Sequence, residues 1–381
     1  MNGRWLDLVL PGVRDLGTRP VRAIVLLAAW VALWALVVVR RGRVLSVVTS
    51  SNIEGWIALA TLVGALWLIV RAASGRPSGR AGAEGAGLER VGPQHAGQWA
   101  LGWRTFRRHR PAMFGLALVG GLGLVALLTP FLAPFDPAAQ GADIVATRFH
   151  PPSWEHLMGT DRFGRDVLSR VLYGGRVSLA IGTLAILIAI TIGSMIGAIA
   201  GYTRGWVDAI SMRTVDLLLS FPRLVLLITI VALVEPSVLV ITLVLGLTGW
   251  MGTSRLVRGE VLSLREREFV QAARALGFGT PRIIFRHILP NVASPIIVAA
   301  TLGIGNTILV EASLSFLGLG VPPPAPSWGL MVAAGKDVML DAPWVALFPG
   351  LAIVLTVMSF NLVGDGLRDA LDPKSTTGIL S

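Results

Sequence analysis

The sequence predicts an all-α polytopic membrane protein, a six-helix core preceded by an N-terminal two-helix transmembrane extension. Three observations carry that reading. Of 381 residues, 54% are hydrophobic and only 14% charged, with a mean hydropathy of +0.70, whereas soluble domains carry roughly 25% charged residues. Apolar runs approaching the ~20 residues needed to cross the hydrocarbon core recur along the chain. The net charge of +11, with a pI near 11.4, gathers beside the ends of these runs, as the positive-inside bias requires. In a soluble protein the same charge would indicate nucleic acid. Cysteine is absent, which excludes disulfides, thiolate metal sites and a cysteine nucleophile.

The first two spans are Ala23 to Val39 and Gly55 to Val70, each extended by flanking residues. Arg40, Arg41 and Arg43 follow the first, with no small-residue cleavage site, so it reads as a retained helix and not as a signal peptide. Residues 1–71 form this hairpin, and residues 72–102 read as a flexible cytoplasmic linker because their Gly/Ala/Ser/Arg composition cannot pack a core.

The core, residues 103–373, opens with Arg104, Arg107, Arg108 and Arg110 before the apolar run Met113 to Leu132. Further runs follow at Val177 to Ala200, Leu217 to Val234, Val238 to Met251, Val292 to Leu317 and Trp344 to Val363, with residues 374–381 as a tail. Alternating sides from Arg110 places 201–216, 253–291 and 364 onward in the cytoplasm, and both termini with them. The charges agree. Seven arginines between 255 and 286 face three glutamates, whereas the external loop 133–176 balances five arginines against five acids.

Arg265 to Asn291 is a charged helix, elbow and helix in this lipid-soluble chain. Phe269, Val270, Ala273 and Leu276 form an apolar stripe at helical spacing. Gly277 stands where a helix end takes positive φ, Thr280 and Pro281 restart a helix as cap and first residue, and Leu289-Pro290 ends it.

Elsewhere the external sequence GTDRFGRDVLSR puts Phe163, Val167, Leu168, Val171 and Leu172 on one helical face and Arg165, Asp166 and Arg170 on another. It is expected to lie along the outer membrane surface, either as an interfacial packing helix or as a docking surface for an external partner. Gly193, Gly197 and Gly201 recur every four residues and predict close helix packing. Phe221-Pro222 predicts a kink. Charges inside apolar runs are costly and mark functional candidates. Asp216 and Arg223, seven residues apart, share a helix face, although Asp216 fits the inner headgroup region; Glu311 either lines a translocation path or makes a buried polar bond. Val321 to Trp328 reads as an extended polyproline-like rim ending in an interfacial aromatic, and His150, Glu155 and His156 as a solvent-facing group. No P-loop, nucleophile elbow or H-E-x-x-H is present, so neither ATP hydrolysis nor another enzyme site is visible in this chain.

These residues carry a resemblance. QAARALG at 271–277 followed by HILPN at 287–291 resembles the EAA motif of binding-protein-dependent ABC importer permeases. GTDRFGRDVLSR, FVQAARALG, RIIFRHILPN, EASLSFLGLG and GDGLRDALDP together resemble the peptide, opine and nickel importer branch, of dipeptide-permease C type, over Trp103 to Pro373. Gln271 replaces the glutamate that names the motif, and His287 stands where its I-x-L-P ending has isoleucine.

The resemblance implies a six-helix ABC importer permease core in a bacterial inner membrane, half of a path for di- or oligopeptides. It implies a second homologous permease subunit, two ATPase subunits holding ATP and Mg, and an extracytoplasmic solute-binding protein, with no cofactor in this chain. It assigns coupling to the ATPase to Gln271, Ala272, Ala273, Leu276, Gly277, Leu289 and Pro290. Competing readings are a self-contained secondary carrier or channel, which should show an internal inverted repeat and paired broken helices, a repeat not visible in the sequence, the same ABC role for nickel or another small solute, and a DNA-binding helix-turn-helix, which the flanking spans disfavour.

Overall fold

The computed structural model describes residues 98–140 and 143–371. The expected N-terminal hairpin, most of the linker and the tail lie outside the described residues. Helix α1, Gln98–Arg108, begins within the expected linker, so the core starts a few residues earlier than composition implied. His109 then caps α2, Arg110–Leu132, its Nδ1 accepting the Ala112 N–H at 3.2 Å.

The remaining long helices are α3 (Val167–Thr203), α4 (Gly205–Leu219), α5 (Arg223–Ala232), α6 (Val238–Arg265), α7 (Glu268–Ala275), α8 (Leu289–Phe316), α9 (Trp328–Gly335) and α10 (Trp344–Leu371). Among the described residues five helices are long and apolar enough to cross a membrane, and the pair α4 and α5, bent by 83°, makes a sixth when counted as one broken span. The fold is therefore all-helical and multi-pass. Within it, α3 and α6 form the most extensive pair, with α8 and α10 packed beside them and α2 against α10.

Sequence periodicity located the spans but misjudged several ends. Phe221-Pro222 produces a full break and not a kink: α4 stops at Leu219 and α5 starts at Arg223. Residues 205–216, which lie between two of the expected spans, are helical, and Asp216 and Arg223, on separate helices, share no face. The short fourth run continues to Arg265 as one 28-residue helix. Leu289-Pro290 does not end a helix. A π-helical turn over Ile284–Ile288 precedes it, Leu289 N–H bonding the Ile284 carbonyl, and α8 continues onward from Leu289. The wide turn suits proline, which has no N–H to donate and whose ring crowds the carbonyl four residues back.

The glycine row does what its spacing predicts. A Cβ at Gly193 would sit 2.7 Å from the Thr253 Cβ, and one at Gly201 2.9 Å from the Arg258 carbonyl oxygen. Only bare Cα atoms let α3 and α6 approach so closely.

The loop over residues 133–176 is built inward. Val167 and Val171 are buried with Met331, Ala342 and Val345, so the apolar face of this stretch packs on protein and is the first part of α3, not a separate surface helix. The 321–328 stretch turns at 323–325 and is not a continuous extended rim. Its Trp328 is buried, its ring over Gly174 and Gly175 and its Nε1 donating to the Val171 carbonyl at 2.9 Å.

Candidate functional site

The elbow joins α6 to α8 through α7. Arg267 leaves helical geometry as the N-cap of α7, and the Gln271 side-chain amide donates 3.1 Å to the Glu266 carbonyl at the end of α6. Glu268 in the first turn and Arg274 in the last suit the helix dipole. Leu276 closes α7, and Gly277 has φ of +75°. Phe278 N–H bonds the Ala273 carbonyl at 3.1 Å and Gly277 N–H the Arg274 carbonyl at 2.9 Å, the paired bonds of a Schellman cap. The chain re-enters helix at Thr280, capped by Gly279, with Thr280 and Pro281 both inside the first turn; the expected cap lies one residue earlier.

One side of this element is anchored. Val270 and Ala273 are buried with Ile283, Ile284, Ile288 and Val292 against Ala198, Tyr202, Val257 and Val261 of α3 and α6. Burying each large aliphatic side chain contributes about 1.5–3 kcal/mol, so the elbow is fastened by its hydrophobic underside. Leu289 packs beside this cluster. The other side is open: Leu276 is 71% and Phe269 42% exposed, with Gln271, Ala272, Gly277 and Pro290 also at the surface. The expected four-residue stripe is thus divided, two residues holding the elbow and two projecting from it. Arg282 lies over the Phe278 ring at 4.2 Å, and Phe278 stacks on His287 at 5.9 Å.

The charged residues within spans have different settings. Arg223, at the start of α5, donates from Nη2 to the Leu245 carbonyl at 3.2 Å, beside Gly249 of α6. Asp216 pairs with Arg255 at a half-exposed position. Glu311 is fully buried: Ser315 Oγ donates to its Oε1 at 2.8 Å, and Ser178 Oγ, 3.5 Å from Oε2, accepts the Trp328 N–H at 3.2 Å. Of the two readings of Glu311, the structure supplies the buried polar bond, joining α8 to α3 and to the start of α9.

Arg165, Asp166 and Arg170 are likewise absorbed by the protein. Asp166 caps α3 through the Ser169 N–H at 2.7 Å and pairs with His156 Nδ1 at 3.0 Å. Asp161, which composition did not single out, takes Arg165 Nε at 2.7 Å, the N–H groups of Phe163 and Arg165 at 2.8 and 3.0 Å, and lies 3.6 Å from Arg170 Nε. Arg170 Nη1 reaches the Pro137 carbonyl at 2.9 Å. These residues shape the loop from within. The loop's exposed surface is mixed: Trp154 and Val145 project from it beside Asp143, Arg148, Glu155 and Arg162.

The elbow is thus an element fixed beneath and open above, set between two long helices. In family comparison, residues 193–377 match the model described as binding-protein-dependent transport system inner membrane component, and residues 97–152 that of the N-terminal TM domain of oligopeptide transport permease C. The dipeptide transport system permease protein DppC of Alkalihalophilus pseudofirmus is 44% identical over 276 residues, covering 72% of this chain and 90% of the relative. This chain belongs to that permease family. DppC of Haemophilus influenzae is 40% identical over 278 residues, covering 71% of this chain and 93% of the relative. As a family member the chain is a non-catalytic, multi-pass permease component of an ABC transport system, which operates with an ATPase, a binding protein and a partner permease. The matched regions begin at residue 97, close to the start of α1.

Proposed function

We propose that this permease forms half of the translocation path for di- or oligopeptides in a bacterial inner-membrane importer, with the elbow facing the cytoplasm and both termini on that side. A homologous permease subunit supplies the other half. Two ATPase subunits hold ATP and Mg, and one of them receives the exposed face formed by Gln271, Ala272, Leu276, Gly277 and Pro290, while Ala273 and Leu289 hold that face from behind. The observation that carries the reading is the divided stripe: Leu276 and Phe269 project while Val270 and Ala273 anchor. Apolar side chains held out on a rigid helix are the anchors a protein partner buries. Arg223, which stands just after the break between α4 and α5 and reaches the Leu245 carbonyl of α6, is a charged path candidate. The loop shaped by Arg165, Asp166 and Arg170 faces the solute-binding protein.

The peptide assignment rests on the dipeptide permeases to which the chain is similar. The test is reconstitution of the chain with candidate partner subunits in vesicles carrying labelled dipeptide outside and ATP inside. Uptake that needs ATP, the binding protein and stoichiometric ATPase subunits is expected. Solute movement by the isolated chain would replace the reading with a secondary carrier, and ATP-driven nickel uptake without dipeptide uptake would replace the substrate class.

A further inference from the structure

The elbow's polar contacts converge on one side chain of α3. Tyr202, buried in the last turn of that helix, is one of two tyrosines in the chain. Arg274 of α7 donates from Nε to the Tyr202 hydroxyl at 3.1 Å, its guanidinium 4.9 Å from the ring centroid. Arg265, the last residue of α6, donates from Nη1 to the Tyr202 carbonyl at 2.7 Å, with its guanidinium 5.8 Å from the same ring. One phenol ring therefore meets cations from both helices that flank the α6–α7 junction. Arg204, two residues on, pairs with Glu266 inside that junction at 3.2 Å.

The helix that ends at Tyr202 is a single rod. α3 runs for 37 residues without a break, about 55 Å at 1.5 Å per residue. At its far end Asp166 caps it, and Arg170 ties it to the external loop through the Pro137 carbonyl. Motion delivered at Tyr202 thus reaches the external loop without crossing a hinge. By contrast the α4–α5 route is broken at 83°.

We propose that Tyr202 is the positioning residue through which displacement of the elbow is passed to α3, and through α3 to the external loop. The proposal rests on the coupling role given to the elbow above. The hydroxyl fixes Arg274 by a directed bond, while the ring holds both guanidinium groups by cation–π attraction in a site screened from water.

The test uses the assembled complex in lipid with its binding protein, reading solute transported per ATP hydrolysed and the stimulation of hydrolysis by liganded binding protein. Tyr202→Ala is expected to lower the transport-to-hydrolysis ratio about tenfold, the loss of one charge-assisted bond and its stacking, and to abolish the stimulation. Tyr202→Phe, which keeps the ring, is expected to recover most of both. A covalent substitute gives the second arm, because the natural chain has no cysteine. Tyr202→Cys combined with Arg274→Cys should be uncoupled until a short bis-maleimide joins the two positions, and coupled afterwards, while either single substitution stays uncoupled with the reagent.

Tyr202→Ala at the wild-type ratio would overturn the proposal, as would a cross-linked pair no better coupled than the unlinked one. If Tyr202→Ala fails to assemble, the cross-linking arm decides. Failure of the wild-type chain to retain ATPase subunits is a different result and would remove the coupling reading itself.

Discussion

The carboxylate of Asp208 in α4 takes both Nε and Nη2 of Arg258 in α6, the Nη2 bond at 2.7 Å. Asp216, further along α4, meets Arg255, earlier in α6, so the two helices run antiparallel and are pinned at two points. The two pins differ in setting. Asp208 is mostly covered, whereas Asp216 and Arg255 are each half-exposed. A double-mutant cycle on Asp208→Ala and Arg258→Ala should give a coupling energy of about 1 kcal/mol, and the same cycle on Asp216 and Arg255 about half that or less. Thermal unfolding in detergent reads both, and equal couplings would show that burial does not set their strength.

Gly277 has open space around its Cα but a φ of +75°. The constraint is therefore backbone conformation and not crowding. Gly277→Val is expected to cost about 1–2 kcal/mol at that position, misplacing Leu276 and lowering transport per ATP with assembly mostly intact. Gly277→Asn, which tolerates this region better, should lose much less. Full transport by Gly277→Val at normal expression would falsify this account of the elbow.

Leu276 supports nothing beneath it. Leu276→Ala should leave the melting temperature within the equivalent of about 0.5 kcal/mol, as surface substitutions do, yet weaken retention of the ATPase subunits by roughly tenfold, the loss of one buried aliphatic group at an interface. Quantitative co-purification measures this. Unchanged retention would move the docking face elsewhere.

Glu311 fastens helices, buried with Ser315 bonded to one carboxylate oxygen and Ser178 beside the other. Glu311→Ala empties a fully buried site and strands the Ser178 and Ser315 hydroxyls, a loss of about 2–4 kcal/mol. Lower yield of assembled complex is expected, and Glu311→Gln, which preserves shape and acceptor oxygen, should recover most of it. A stable Glu311→Ala complex with altered transport would return this residue to the path.

What the sequence disclosed follows from the range of each signal. The Schellman cap at Gly277 and the close packing at Gly193 and Gly201 depend on local chemistry, and both were legible. Periodicity at Val167 and Val171 showed that one face is covered, but not whether lipid or protein covers it; the cover is Met331, Ala342 and Val345, more than 150 residues away. Phe221-Pro222 marked a disturbance whose size depends on how α4 is held to α6, which no local pattern encodes. Pro290 reads as a terminator unless the preceding turn widens. Tyr202 carries no periodic or motif signal, since its partners lie on other helices, whereas Asp161 lies within the GTDRFGRDVLSR motif and meets Arg165 four residues on, a local signal that the pattern of apolar faces passed over. For Tyr202 the scarcity of tyrosine was the one available hint.

The glycine row also fixes how α3 and α6 can be rearranged. With a glycine every fourth position, the same bare surface reappears only after a shift of four residues, about 6 Å along the axis. Smaller shifts drive side chains into the Thr253 Cβ and the Arg258 carbonyl, which already stand where a Cβ would go. The pair therefore has notches rather than a sliding track, and the grip of Arg265 on the Tyr202 carbonyl selects which notch it occupies.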